Sequence, residues 1–277
     1  GTGNFILSEM REKGRTFEDV LQEAQALGYA EADPTFDVEG IDAAHKLTIL
    51  ASIAFGIPLQ FEKAYTEGIA DLTTADVNYA EALGYRIKHL GLARRTDLGI
   101  ELRVHPTLIP ADRLLANVNG VMNAVMVHGD AVGSTLYYGA GAGAEPTASA
   151  VIADIVDVAR FMTATPADQV PALGFQSDQL SDHPILPIDQ CEAAYYLRIQ
   201  AKDHPGVLAQ VASIFSVRGI NIESIMQKEA EELDGSIPMI LLTHRVEEQR
   251  INDAIMALEA LDTVQTPVVR IRVEQLN

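Results

Sequence analysis

After residue 192 the sequence settles into a pattern that few folds satisfy. Tyr195–Ala201 alternates with period two, and Gly206–Arg218 carries Val207, Val211, Ile214 and Phe215 at helical spacing until Gly219 stops it. Strand-like segments follow at Ile220–Lys228 and Ile237–His244, then a helical one at Glu247–Leu261 and a last strand at Val268–Val273. The order βαββαβ specifies the split-βαβ sandwich of ferredoxin type over residues 193–277.

Upstream the pattern differs. The first 60 residues read helical: Asn4 caps a helix ending near Lys13-Gly14, and Thr16 with Asp19 opens a second. That second helix carries a stripe of Phe17, Val20, Leu21, Ala24 and Leu27 and stops at Gly28. A third runs from about Val38 to Phe55. Tyr85–Arg94, Ile100–Leu108, Gly120–His128 and Ser134–Tyr138 alternate between turn residues and are expected to form one sheet with helices on one face. Gly139-Ala-Gly-Ala-Gly143 and a helix from about Pro146 to Phe161 follow. Residues 163–192 hold Pro166, Pro171, Pro184 and Pro187 without period and read as a linker. The expected class is α/β (α+β), a mixed-sheet domain over 1–162 followed by the ferredoxin-like unit.

A formal net charge of −19, with no Lys/Arg-rich run, sets the chain against phosphate backbones and anionic lipid. Neither nucleic acid nor a membrane is expected as a partner. The longest apolar stretch, Leu47 to Leu59, is interrupted by Thr48, Ser52, Gly56 and Pro58 and is too short to span a bilayer. The single cysteine, Cys191, excludes an internal disulfide and points to a reducing, cytoplasmic compartment. No histidine pair has metal-ligand spacing, so no metal is expected. The chain opens on Gly1-Thr2-Gly3-Asn4 with neither Met nor signal peptide, and reads as a protein joined in its middle.

Chemistry concentrates between residues 28 and 46. Asp42 and Lys46 lie four apart and share a helix face, which continues as Ile49 and Ile53. Beyond Lys46 the helix is apolar nearly all round, so the pair is expected to enter the interior, where burial and a carboxylate neighbour tune a lysine for proton transfer. A solvated ion pair on an exposed first turn is the alternative reading. The acidic loop ahead, Glu31, Asp33 and Asp37, favours a site.

Four ordered motifs carry a resemblance. They are Gly-Thr-x-Asn-Phe-Ile-Leu from Gly1, Gly-Tyr-Ala-Glu-x-Asp-Pro-Thr from Gly28, Asp-Val-x-Gly-x-Asp-x-x-x-Lys from Asp37, and Gly-Ala-Gly-Ala-Gly-x-x-Pro-Thr-Ala-Ser-Ala-Val from Gly139. Together they resemble homoserine dehydrogenase over essentially the whole chain, without that family's amino-terminal dinucleotide-binding domain. The resemblance implies interconversion of L-homoserine and L-aspartate 4-semialdehyde with NAD or NADP, in threonine, methionine and isoleucine biosynthesis. Lys46 then matches the proton donor. Glu31 and Asp42 match carboxylates that bind the amino acid, and Asp37, Tyr29 and Thr2 match the pocket around it. Gly28, Gly143 and Gly1 match backbone beside the cofactor, most of which the missing domain would hold. On its own the chain is then expected not to turn over.

The glycine run at 139–143 has the wrong spacing for a phosphate loop and reads as a close-packed turn or, by the resemblance, as backbone beside the cofactor. Downstream, Asp203-His-Pro-Gly206-Val-Leu208 with Arg218-Gly-Ile-Asn221 resembles the amino-acid-sensing ACT domain. Gly206 and Val207 open a helix whose free N–H groups suit a carboxylate, with Leu208 behind them and Asn221 free to orient a polar group. Asp203 and Asn221 read equally as cap and turn. The resemblance implies threonine as ligand, with two such units expected to pair so that Asn221 helps enclose it and coupling expected through the 163–192 linker. A sheet covered by helices on one face only leaves an apolar face to bury, so a homodimer or higher oligomer with the 85–138 strands in the contact is expected. The competing reading is a non-catalytic amino-acid-sensing protein.

Overall fold

A computed structural model describes residues 1–165, 169–227 and 236–276. The helices are α1 (Thr2–Lys13), α2 (Phe17–Ala26), α3 (Thr35–Val38), α4 (Ile41–Phe55), α5 (Thr74–Ala82), α6 (Ala144–Thr163), α7 (Val207–Val217) and α8 (Glu248–Glu259). The strands are β1 (Tyr65–Thr66), β2 (Tyr85–Arg95), β3 (Ile100–Pro110), β4 (Met122–Gly129), β5 (Gly133–Ala140), β6 (Glu192–Lys202), β7 (Ile222–Gln227), β8 (Ser236–Thr243), β9 (Val246–Glu247) and β10 (Val264–Val273). The expected strand end at Lys228, Pro166 of the linker and the terminal Asn277 lie outside the described residues.

The carboxy-terminal unit has the expected order, with strands side by side as β10-β6-β8-β7. Its sheet does not end there. β10 pairs in parallel with β3 at Arg272–Thr107 and Val273–Leu108, so the sheet continues into β3 and its antiparallel partner β2. The two units therefore share one mixed sheet. On one face Tyr196, Ile240, Leu242, Ile271 and Val273 join a core with Ile6, Met10, Val20, Val77 and Leu108 of the first unit. On the other face Leu197, Ile199 and Leu241 meet Val211 and Phe215 of α7 and Ile251 and Leu258 of α8. Of the first unit's helices, α1, α2, α4 and α5 pack on one face of the sheet, as the pattern predicts.

Four local expectations are corrected. Asn4 does not cap α1. It sits inside that helix, and its amide donates to the carbonyls of Val118, Gly120 and Met122, tying the helix to the loop before β4. The third helix is two, because Gly40 takes φ 78° and turns the chain between α3 and α4. A Cβ there would stand 2.8 Å from Val104 Cγ1 and 2.9 Å from His89 Nε2, so only glycine fits both the backbone and the space. The four upstream strands do not make one sheet: β4 and β5 form a separate hairpin. Finally, α5 has no counterpart in the periodicity reading. Thr73 and Asp76 cap it reciprocally, and Asp76 also binds Arg198 at 2.7 Å from beneath the carboxy-terminal sheet.

Among the described residues, the stretch between α6 and β6 holds only single 3-10 turns at Ser177–Gln179 and Ile188–Gln190, yet it is not loose from end to end. Ile185 bridges to Ile100 and packs with Ala51, Ile57 and Leu102. α6 is the opposite case. All twenty of its residues are exposed, including Ile152, Ile155 and Phe161.

Candidate functional site

The site is built where α1, the 28–40 segment and α4 meet. Gly28, at φ 77°, turns the chain out of α2. Asp33 then accepts from the backbone N–H and the hydroxyl of Thr35, starting α3, and those bonds hold its carboxyl below the usual range. The hydroxyl of Thr2 lies 2.7 Å from the Tyr29 carbonyl and 2.9 Å from an Asp37 carboxylate oxygen, so one side chain on α1 gathers both. Phe5 packs edge-on against the Tyr29 ring at 5.1 Å. Gln25 donates to the carbonyls of Glu31 and Ala32, which fixes that backbone and leaves the exposed Glu31 carboxylate without a partner among the described residues.

Asp42 sits in the first turn of α4, where the helix dipole favours an anion, and Lys46 donates to it at 2.5 Å. This pair is exposed, 70% for the lysine side chain and 37% for the aspartate, and the expectation of burial is overturned. The reason lies in which face α4 buries. Ala44, Thr48, Ala51 and Ser52 pack inward, while Ile49, Leu50 and Ile53 stay at the surface beside Lys46. Lys46, Asp37 and Asp42 all lie close enough to Gly1 to act on it electrostatically, which places all three charges around the start of α1.

Asn123 connects this corner to the glycine run. Its side-chain oxygen accepts from the Gly1 nitrogen at 3.0 Å, and its amide occupies the place a Cβ on Gly141 would need. Gly141 is thus a close-approach position that reaches Gly1, and Gly143 follows it at φ 121° as the residue before α6. A side chain on Gly28 would meet nothing within 4 Å. Thr2, Tyr29, Asp37, Asp42, Lys46 and Gly1 are brought together, with Glu31 on the adjoining loop. Asn123 was not singled out by the motif reading, because Gly1 lies 122 residues away in the chain; Asn4 stood in the first motif, but its ties to the loop before β4 were out of reach for the same reason.

A second concavity, of about 290 Å³, lies at the head of α7. Asp203, Gly206, Val207 and Leu208 line it, with Gln227 and Met239 across from them. Gly206 adopts φ 95° and no side chain caps the helix. Asn221 is not part of this lining. It precedes β7, whereas Gln227 ends that strand, a separation of about 20 Å at ~3.3 Å per residue.

Between the units runs a buried ionic network that motif reading did not find. Arg103 is clasped by Glu101 and Glu274 at 2.9 and 2.7 Å. Arg272 binds Glu67 at 2.8 Å and Glu248 more closely, and Arg270 reaches Glu248 at 2.9 Å. Burial disfavours the Arg272 cation, but these carboxylates outweigh it and raise its pKa. His105, wholly enclosed beside Arg103 and Arg272, is driven far below its ordinary value by burial.

Both parts of the chain resemble known proteins. A family model described as homoserine dehydrogenase matches residues 1–156, and one described as ACT domain matches residues 195–263. The chain is 84% identical over all 277 residues to a homoserine dehydrogenase of Pseudomonas aeruginosa and 58% identical to that of Neisseria gonorrhoeae, spanning 64% and 63% of their lengths. The crystal structure of a homoserine dehydrogenase from Thiobacillus denitrificans superposes with a TM-score of 0.94 at 64% identity, with the whole of this chain covering 63% of that one. The chain therefore spans under two thirds of the relatives it matches, and by sequence and by fold it belongs to the homoserine dehydrogenase family.

Proposed function

We propose that the chain supplies the substrate-binding and regulatory parts of an NAD- or NADP-dependent oxidoreductase that interconverts L-homoserine and L-aspartate 4-semialdehyde. The observation that carries this is the Lys46–Asp42 pair opening beside Gly1, with the Asp37 carboxylate on α3 and that of Glu31 on the loop before it. A cluster of carboxylates suits an ammonium group, and a lysine held by one of them suits a proton transfer to an oxygen. A binding-only protein has no need of the latter. The second reading, a non-catalytic sensor, leaves this corner unexplained.

The residues fit the reacting end of a nicotinamide cofactor. Gly28 leaves open space at its Cβ position, and Gly143 and Gly1 present backbone without side chains at the same corner. When bound, that group accepts or returns the hydride. The chain's own residues do the rest. Glu31 and Asp42 accept hydrogen bonds from the substrate ammonium, Thr2 keeps Asp37 and Tyr29 in place, and Lys46 gives a proton to the alkoxide oxygen in the reducing direction or takes it from the hydroxyl in the other. The apolar surface of Ile49, Leu50 and Ile53 beside Lys46, and that of α6, supports packing against a dinucleotide-binding domain that excludes water. Without such a domain the chain is expected to be inactive.

The cavity at Asp203–Leu208 is proposed to take threonine, its carboxylate at the head of α7. In a homodimer or larger assembly Asn221 would reach that ligand only from a second unit. The exposed β4–β5 hairpin, too small to be stable alone, is the surface proposed for subunit contact.

The experiment is steady-state kinetics of the full-length protein. Lys46→Ala should cut kcat for homoserine oxidation by about 10²–10⁴-fold, the usual value of a positioned acid–base group, and Glu31→Ala should act mainly on the homoserine KM. Calorimetry with threonine on the same protein tests the cavity, with Gly206→Leu expected to abolish binding. Wild-type kinetics in both catalytic variants would refute the assignment.

A further inference from the structure

Glu67 follows β1 and touches both halves of the molecule. Its carbonyl oxygen lies 3.0 Å from His89 Nε2, and that ring closes directly on Gly40, the turn from which α4 starts. The next two residues hold the same spot. The Ile69 N–H donates to the Val38 carbonyl at 3.0 Å, and the Glu39 carboxylate rests on Gly68, where a Cβ would collide with it. No slack remains between the 67–69 segment, His89 and the α3–α4 turn.

The side chain of Glu67 points the other way in its contacts. It accepts from Tyr65 at 2.7 Å, from Arg272 at 2.8 Å and from Arg270 at 3.3 Å. Both arginines are on β10, and both also grip Glu248, the first residue of α8. Burial opposes ionisation of Glu67, yet Arg272 and the hydrogen bond from Tyr65 bring its pKa below the ordinary value, so it is an anion here. One residue thus joins a helix of the carboxy-terminal unit to the turn that launches Asp42 and Lys46.

We propose that Glu67 is a positioning residue for the Asp42–Lys46 pair, the joint through which the carboxy-terminal unit sets the start of α4. The kinetic arm of this inference rests on the catalytic reading of Lys46; the structural arm does not. A displacement of α8 must carry Glu248, hence Arg270 and Arg272, hence Glu67. The close packing at Gly68 and Gly40 then passes the displacement on instead of absorbing it. The route runs through the shared sheet and bypasses the 163–192 segment.

The test uses the full-length protein with Glu67→Gln, Glu248→Gln, their double variant, and Glu247→Gln as an exposed control on the same stretch of chain. Hydrogen exchange of the amides 38–46 should speed up about tenfold in Glu67→Gln and Glu248→Gln, within the range such couplings reach, with no change in the control. The double variant should be no worse than the more affected single, since both cut one chain of contacts. For homoserine oxidation kcat should fall about tenfold with the cofactor KM unchanged, a split that general loosening would not give. If Glu248→Gln does not fold, Arg270→Lys, part-exposed, gives the same comparison. Unchanged exchange at 38–46 in Glu67→Gln, with β10 alone loosened, overturns the proposal. Absence of homoserine oxidation in the wild type would refute the catalytic reading, and the exchange arm would then decide the joint by itself.

Discussion

Two ion pairs of this chain could hardly be placed more differently. Asp42 and Lys46 are four residues apart on one helix and open to solvent, whereas Glu248 and Arg272 are fully enclosed and belong to a helix and a strand. In the first pair both charges stay hydrated, so either can release its partner for a ligand at little cost. In the second, the charges have been taken from water and each depends on the other. The difference teaches that the pair legible as a motif is the one free to do chemistry. The one hidden from motif reading is committed to architecture.

The largest effect that separates them is on stability. Arg272→Ala leaves the buried Glu248 and Glu67 with only the partly exposed Arg270 between them and should cost toward the lower end of about 3–5 kcal/mol, read by urea unfolding of the chain near pH 7. A loss under ~1 kcal/mol would show that water enters the seam and would dissolve the contrast.

Acid sharpens it further. Burial keeps His105 neutral in the folded chain and shifts His89 in the same direction, while the ordinary value is 6.5. Below that value the unfolded state binds more protons than the folded one, so stability should fall with pH. The slope reaches up to about 1.4 kcal/mol per pH unit for each histidine. The window lies between pH 6.5 and 5, above the carboxylate range, and unfolding midpoints across it give the slope. His105→Gln should flatten it. A slope unchanged by that substitution would mean that the seam does not exclude the imidazolium.

The smallest expected effect is at the open pair. Lys46→Ala should change the unfolding free energy of the chain by no more than about 1 kcal/mol, whatever it does to activity. A larger loss would mean that the pair is structural after all.

What could be read from the residues follows the same division. The βαββαβ order was legible because its hydrophobic periods are local, and the Thr16 cap because its partner Asp19 is three residues away. The Gly40 break was not, since the helical period of apolar residues runs on through the turn. α5 offered only Val77 and Ala80 as an apolar stripe, although Thr73 and Asp76 were a usable capping signal. In β3 the positions Glu101, Arg103, His105 and Thr107 alternate with apolar ones, a pattern that ordinarily means a water-facing side. Here every one of them is buried. The carboxylate that completes the clasp on Arg103, Glu274, lies 171 residues further on, beyond the reach of any window. At the candidate site, residue identities were legible from the motifs. Exposure was not, because it depends on which face of α4 the sheet covers.

The pairing of β10 with β3 bears on how freely such a regulatory unit could be exchanged between proteins. A chain ending before residue 193 would present the bare edge of β3 and the apolar sides of α1, α2 and α5 that Tyr196, Ile240 and Val273 now cover. Such an edge invites pairing with a neighbour. Transplanting a foreign sensor here would therefore mean matching a strand register and a half-core together.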